Sequence, residues 1–261
     1  MRYLSLWYQF FKMSWMADLE YRLNFVVRIV GEFFWYTAQL SVFEVLYLHT
    51  DSLNGWDIHA VRVFMGTLFV VDVLYMIFLQ ENLDHLSSTV RKGDLDMYLL
   101  KPINSQFMVS CRKVSVPHFV NLILVGGYLM WGLSQLNVSI SWAQVVAFIL
   151  LLICGLTITY SLRFIFTLLV FYMHEAGSIQ FIWYQFYRLG TRPDIIYPRV
   201  LRLMVLTILP VAFIASVPSR ILVEGLDYEL VWAGLGLALS SFLLSRILWR
   251  VSLKRYASVS T

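Results

Sequence analysis

The stretch Trp142-Ala-Gln-Val-Val-Ala-Phe-Ile-Leu-Leu-Leu-Ile-Cys-Gly-Leu-Thr-Ile-Thr-Tyr-Ser-Leu-Arg-Phe-Ile-Phe-Thr-Leu-Leu-Val170 contains a single charged residue, Arg163. A helix needs roughly 20 apolar residues to cross the hydrocarbon core of a bilayer, so this stretch reads as a membrane span. Five more apolar stretches accompany it, at Leu23–Leu48, Val61–Leu79, Val114–Leu133, Leu203–Val217 and Leu230–Trp249, of which Leu203–Val217 is the shortest. The sequence therefore predicts an all-α, polytopic helical membrane protein with six transmembrane helices. Composition agrees: 59% of residues are hydrophobic and 14% charged, against about 25% charged in ordinary soluble domains. The 261 residues hold six spans and short loops as one domain, 1–261, and exclude a transporter that carries its own nucleotide-binding domain.

The formal net charge is +4, and the basic residues sit between apolar segments, where a membrane surface is a better partner than nucleic acid. Lys and Arg gather on the cytoplasmic side of short loops. With the amino terminus inside, sixteen of the twenty fall in cytoplasmic stretches, including Arg91, Lys92, Arg188, Arg192, Arg199, Arg202 and Arg250. Both termini are thus expected in the cytoplasm. No short apolar core followed by a small-residue cleavage site opens the chain, so it is expected to begin at Met1. Within residues 1–20, Leu4, Trp7, Tyr8, Phe11 and Trp15 share one helical face, which predicts an amphipathic interfacial helix; a helix packed on protein is the alternative. Residues 171–198, where Phe181-Ile-Trp-Tyr184 precedes Arg188, Arg192, Pro193, Asp194 and Pro198, read as an interfacial helix and elbow. Pro210 should kink or break the fifth span. Ile221-Leu-Val223 reads either as a re-entrant dip or as a plain loop.

The five histidines are scattered without metal-ligand spacing, and no phosphate-cradling glycine loop is present, so no metal site is expected and any ATP binds another chain. Cys111 and Cys154 differ in environment, which argues against a disulfide framework. Away from the charges at span edges such as Arg62 and Arg246, the membrane-embedded ionisable residues are Arg28, Glu32, Glu44, Asp72 and Arg163. Arg28 and Glu32, four apart, are placed to pair. Arg28 and Arg163 can snorkel, and Glu44 can sit at the outer interface. Asp72, near the middle of its span, must face protein or a cavity. Arg28, Glu32 and Asp72 are therefore the candidate substrate pathway. In the last span Gly234 with Ala238, and Gly236 with Ser240, are small pairs suited to close helix contact.

The loop at 81–108 is amphipathic rather than merely solvated. Asp94 or Asp96 can cap a short helix after Gly93, with Leu95, Tyr98, Leu99 and Ile103 as its apolar face and Pro102 as its stop. Such a helix suits docking into a groove on a partner, or packing on the protein's own span ends.

The run Arg91-Lys-Gly-Asp-Leu-Asp-Met-Tyr-Leu-Leu-Lys-Pro-Ile-Asn104 resembles the hallmark of a bacterial family of ATP-binding-cassette exporter permeases of type two, with six spans in about 260 residues. Tyr197-Pro198, Leu209-Pro210 and Val217-Pro218 extend the resemblance. It implies that Gly93, Asp94, Leu95, Asp96, Tyr98, Leu99, Leu100, Lys101, Pro102 and Ile103 form a cytoplasmic coupling helix seated on an ATPase subunit. It also implies a non-enzymatic permease in the bacterial inner membrane among membrane lipids, a second identical or related permease chain, and ATP and Mg held by the partner ATPase. An ATPase-driven regulator that transports nothing, an intramembrane enzyme and an ATP-independent carrier are the other classes. Short outer loops, the lack of a Ser/His/Asp arrangement and the lack of inverted repeats weigh against each in turn.

Overall fold

Helix α3 (Ile58–Tyr75) is apolar on nearly every side and is buried along most of its length, from Ala60 to Tyr75. The computed structural model describes residues 2–20, 22–136, 138–173 and 176–256, and within these the regular structure is helical. Asp57 caps α3 by accepting from the Ala60 N–H at 2.8 Å. The helix then passes through one π-helical turn (Met76–Gln80) into α4 (Glu81–Lys92), which makes 35 continuous residues. At 1.5 Å per residue that is about 52 Å, some 20 Å more than a bilayer's hydrocarbon.

Among the described residues, three helices are long and apolar enough to cross a membrane: Ile58–Lys92, Trp142–Phe171 and Tyr228–Leu253. They comprise α3–α4, α8 (Trp142–Thr167) with its 3-10 extension, and α12 (Tyr228–Leu253). Helix α7 (His118–Ser134) is apolar but shorter, and α2 (Arg22–Tyr47) is long but carries four charges. The bundle has two ends, one holding the 48–57 loop and the other the 93–104 loop.

Helix α1 (Arg2–Glu20) lies at the 93–104 end, and its expected apolar face divides. Trp7 and Phe11 turn inward against Phe78 and Phe119, while Leu4, Tyr8 and Trp15 stay exposed. Ser14 Oγ and Asp18 Oδ2 accept from the Val114 and Val116 N–H groups at 3.1 and 2.9 Å, so α1 is fastened to the irregular link that starts α7. Asn82 grips the same link from the other side, donating to the Lys113 carbonyl at 2.7 Å and accepting from its N–H at 2.8 Å.

The stretch Leu203–Val217 is not a single helix. Helix α10 (Arg199–Thr207) ends before Pro210, a 3-10 turn covers Val211–Ile214, and α11 (Ser216–Val223) follows. Proline lacks the N–H that would continue the helix. Residues 211–215 are at most 2% exposed, and three glycines make room for them. A Cβ on Gly155 of α8 would lie 2.5 Å from the Phe213 carbonyl oxygen, and one on Gly190 would lie 2.9 Å from the Val211 oxygen. One on Gly234 of α12 would meet Leu151 at 2.6 Å and Phe213 at 3.2 Å. Gly155 is near the midpoint of its 30-residue helix, so this irregular segment reaches half-way into the bundle. Broken backbone at that depth persists only when protein encloses it. The deepest residues are 211–215; Ile221 stays at the 48–57 end, where its carbonyl accepts from Gln144 Nε2 at 2.9 Å.

The stretch 171–198, expected as an interfacial elbow, contains α9 (Ala176–Gly190), and this helix joins the two ends of the bundle. Phe171 packs on Trp249 and Tyr256 at one end, whereas the Ile195 carbonyl accepts from Asn54 Nδ2 at 2.6 Å at the other. Arg199 and Arg202 accordingly lie towards the 48–57 end, not with the 93–104 group. Of the small pairs, Gly234 with Ala238 forms the face packed on α8, while nothing lies within 4 Å of a Cβ on Gly236.

Candidate functional site

Helix α4 stops because Gly93 takes the left-handed conformation, φ +78°, and its N–H returns to the Thr89 and Val90 carbonyls. Leu95 then turns inward, fully buried, into a cluster with Leu83, Leu86 and Val90 of α4. One helical turn follows, α5 (Asp96–Leu99), with Leu95 at its N-cap; no side chain caps it, so the cap expected from Asp94 or Asp96 is not formed. Asn104 opens α6 (Ser105–Cys111) by accepting from the Phe107 N–H at 3.1 Å.

Side chains from across the chain hold this loop. Tyr256 Oη donates to the Gly93 carbonyl at 3.0 Å, and Arg112 donates to Tyr98 Oη at 2.5 Å while stacking on its ring. Tyr3 sits edge-on to Phe107, and Trp249 Nε1 donates to Ser105 Oγ at 3.0 Å. Met97 at 60% and Leu100 at 85% remain exposed, with Leu99 beside them, between exposed Asp94 on one side and Lys101 and Asn104 on the other. The expected face thus splits, because Leu95 anchors the loop and Tyr98 is half-buried. Leu99 and Leu100, with Met97, form the tip; Lys101 and Pro102 are exposed next to it, and Ile103 is half-buried.

The membrane-embedded charges resolve into four places. Near the 48–57 end, Glu44 receives both Arg62 Nε and Nη2, at 2.7 and 2.8 Å, and the guanidinium lies 5.0 Å from the Trp131 ring. Towards the 93–104 end, buried Arg163 donates to Asp84 at 2.5 Å, which ties α8 to α4. Arg28 pairs at 3.9 Å with Glu81, which Lys113 also contacts. The expected Arg28–Glu32 pair is therefore replaced, because the α2–α4 contact offers Arg28 a carboxylate at its own depth. Glu32 instead falls within electrostatic reach of Asp72. Asp72 accepts from Tyr187 Oη of α9 at 2.9 Å, and the Tyr36 ring lies 4.5 Å from that of Phe69, tilted by 45°. Of the three pathway candidates, Asp72 is held by Tyr187 and Arg28 pairs elsewhere with Glu81.

A second polar centre, absent from the sequence reading, closes the base of the 208–223 segment. Asp194 is 1% exposed and accepts from Arg220 at 2.5 Å, from Arg202 at 2.8 Å and from the Ser216 hydroxyl. Burial pushes its carboxyl up, but the Arg220 guanidinium, Ser216 and Arg202 outweigh that and hold it below the ordinary carboxylate value. Trp56 Nε1 donates to Glu224 at 2.6 Å beside it. Among the described residues, no group of His, Cys, Asp and Glu gathers to hold a metal ion.

A family model described as ABC-2 family transporter protein matches residues 33–260. No curated protein and no solved structure matches the chain.

Proposed function

The chain belongs to the ABC-2 transporter family, and from that premise we propose that it is the permease subunit of an exporter driven by ATP hydrolysed on a separate ATPase subunit. Membership makes it a membrane transport component. The finer reading rests chiefly on one observation: an apolar tip, Met97, Leu99 and Leu100, exposed on a loop that Tyr256 and Arg112 hold at Gly93 and Tyr98 and whose following helix Tyr3 and Trp249 contact. A mobile apolar loop would lose conformational entropy on docking; a fixed one is already ordered.

In this reading Gly93 to Ile103 is the coupling element. The ATPase pushes or pulls the tip, Leu95 passes the displacement to α4 through its buried cluster, and the continuous 58–92 helix carries it to Asp72. Packed interiors transmit such shifts because they have no slack. Glu32 and Asp72 line the substrate path, with Arg28 as a tether between α2 and α4. ATP and Mg belong to the partner ATPase. A second permease chain, identical or related, completes the assembly.

The six crossings are α2, α3, α7, α8, α9 and α12, so the fifth is α9 in place of Leu203–Val217, and 208–223 re-enters from the 48–57 side. With residues 188–202 moved to that side, twelve of the twenty basic residues still gather at the 93–104 end. On the positive-inside rule, we assign that end and both termini to the cytoplasmic side of a bacterial inner membrane, with α1 at its interface.

The test is Leu99→Asp and Gly93→Asp in the assembled complex. Membrane levels should hold while transport-coupled ATPase activity falls to the basal rate. Stimulated ATPase activity that survives both substitutions overturns the coupling assignment.

A further inference from the structure

We propose that the groove between α6, α8 and α12 binds one anionic phospholipid. The groove encloses about 380 Å³ and opens sideways on the bundle near the 93–104 end, a volume in the range of specific small-molecule sites. Its walls are Leu79, Phe107, Leu156 and Phe242. Its floor is polar, yet the floor satisfies itself. Gln106 Nε2 donates to Tyr160 Oη at 3.1 Å and to Ser245 Oγ at 3.3 Å, and Ser110 Oγ lies 2.9 Å from the same tyrosine oxygen. A polar solute gains little from donors and acceptors already paired, whereas an acyl chain gains from the apolar walls.

The charge sits at the mouth. Arg246 lines the groove and is exposed, Arg250 follows one turn on along α12, and Lys254 caps the helix beyond it. Among the described residues none of the three forms an ion pair, while six other arginine and lysine side chains each have a carboxylate. An apolar slot with unneutralised cations at one end matches a lipid whose tail is buried and whose headgroup is anionic. A free phosphate would gain nothing from the walls, and a zwitterionic headgroup brings its own cation to the mouth. The inference needs only that the chain is embedded in a membrane, and it stands or falls apart from the ATPase reading, since the chain alone is enough to test it.

The experiment is native mass spectrometry of the purified full-length chain after exposure to phosphatidylglycerol or phosphatidylcholine. One phosphatidylglycerol should remain bound per chain in preference to phosphatidylcholine. Retention should fall about fivefold in Arg246→Gln, on the scale of one basic residue at an anionic surface, and should disappear in Thr157→Trp, which fills the groove from α8. If Thr157→Trp does not fold, Arg246→Gln alone decides. Equal retention of the two lipids, wild-type retention by Arg246→Gln, or displacement of phosphatidylglycerol by millimolar inorganic phosphate overturns the proposal.

Discussion

Gly155→Ala places a methyl group 2.5 Å from the Phe213 carbonyl oxygen, 3.2 Å from Ile214 Cα and 3.3 Å from the Ile214 oxygen. All three neighbours are backbone, so no side-chain rotation relieves the clash. Ordinary contact begins at 3.4 Å, which requires a shift of about 0.9 Å in a segment enclosed on every side. Overpacking of this kind costs ~1–3 kcal/mol, and backbone resistance puts this site near the top of that range. Alanine returns about 1 kcal/mol of helix propensity. The net loss is about 2 kcal/mol, which corresponds to a melting temperature roughly 4–8 °C lower for a chain of this size. Gly31→Ala on α2 is the control: nothing lies within 4 Å of its Cβ, so only the propensity gain remains. Thermal unfolding of both variants in detergent, followed by tryptophan fluorescence, reads the difference. A Gly155→Ala protein that melts at or above Gly31→Ala refutes the buried position of 211–215.

Asp194 has its folded-state carboxyl held down, so its stabilisation is complete above the ordinary value of 3.8 and drains away as pH falls below it. Asp194→Asn should therefore show a shallower loss of melting temperature between about pH 5 and 2.5 than wild type; parallel acid slopes contradict the network. Asn82→Ala leaves the Lys113 N–H and carbonyl without their partner and should cost ~1–3 kcal/mol in chemical unfolding, with no measurable loss as the failing outcome. Gly93→Ala forces a Cβ into φ +78° and should destabilise by about 1 kcal/mol, less than the Gly155 change; unchanged stability would mean the loop is not held as described. Asp72→Asn keeps a partner for Tyr187 but removes the charge, so melting should hold while the ATPase rate of the assembled complex changes. An unaltered rate makes Asp72 structural.

The apolar stretches made the helices legible, because burial in lipid imposes length and composition together; Trp142–Val170 and α8 with its extension nearly coincide. The broken course of Leu203–Val217 was hidden for the same reason. Residues 210–217 are enclosed by protein while Leu203 and Ile208 stay exposed, and α9 brings Tyr187 to Asp72 and Gly190 against Val211. Hydropathy cannot separate burial in protein from burial in lipid, but Pro210 did mark the break. The loop at 93–104 was readable from Gly93 and its neighbours, yet the inward turn of Leu95 depends on α4 residues Leu83, Leu86 and Val90 that only the fold brings there. Arg28 was assigned to Glu32 by spacing along one helix; Glu81, more than fifty residues away, lies beyond the reach of that rule. Asp194, Arg202, Ser216 and Arg220 meet from three separate segments, and the only sequence signal for them was a carboxylate set among prolines and arginines.

The central claim is that this permease works through an ATPase that it does not contain. Purification of the chain from native membranes in mild detergent, with mass spectrometry of every stoichiometric partner and an ATPase assay on the eluted complex, tests it directly. The account predicts a nucleotide-binding subunit in equal amount to the permease chains, with ATPase activity that Leu99→Asp uncouples. A chain that purifies with no ATPase partner even after crosslinking contradicts it.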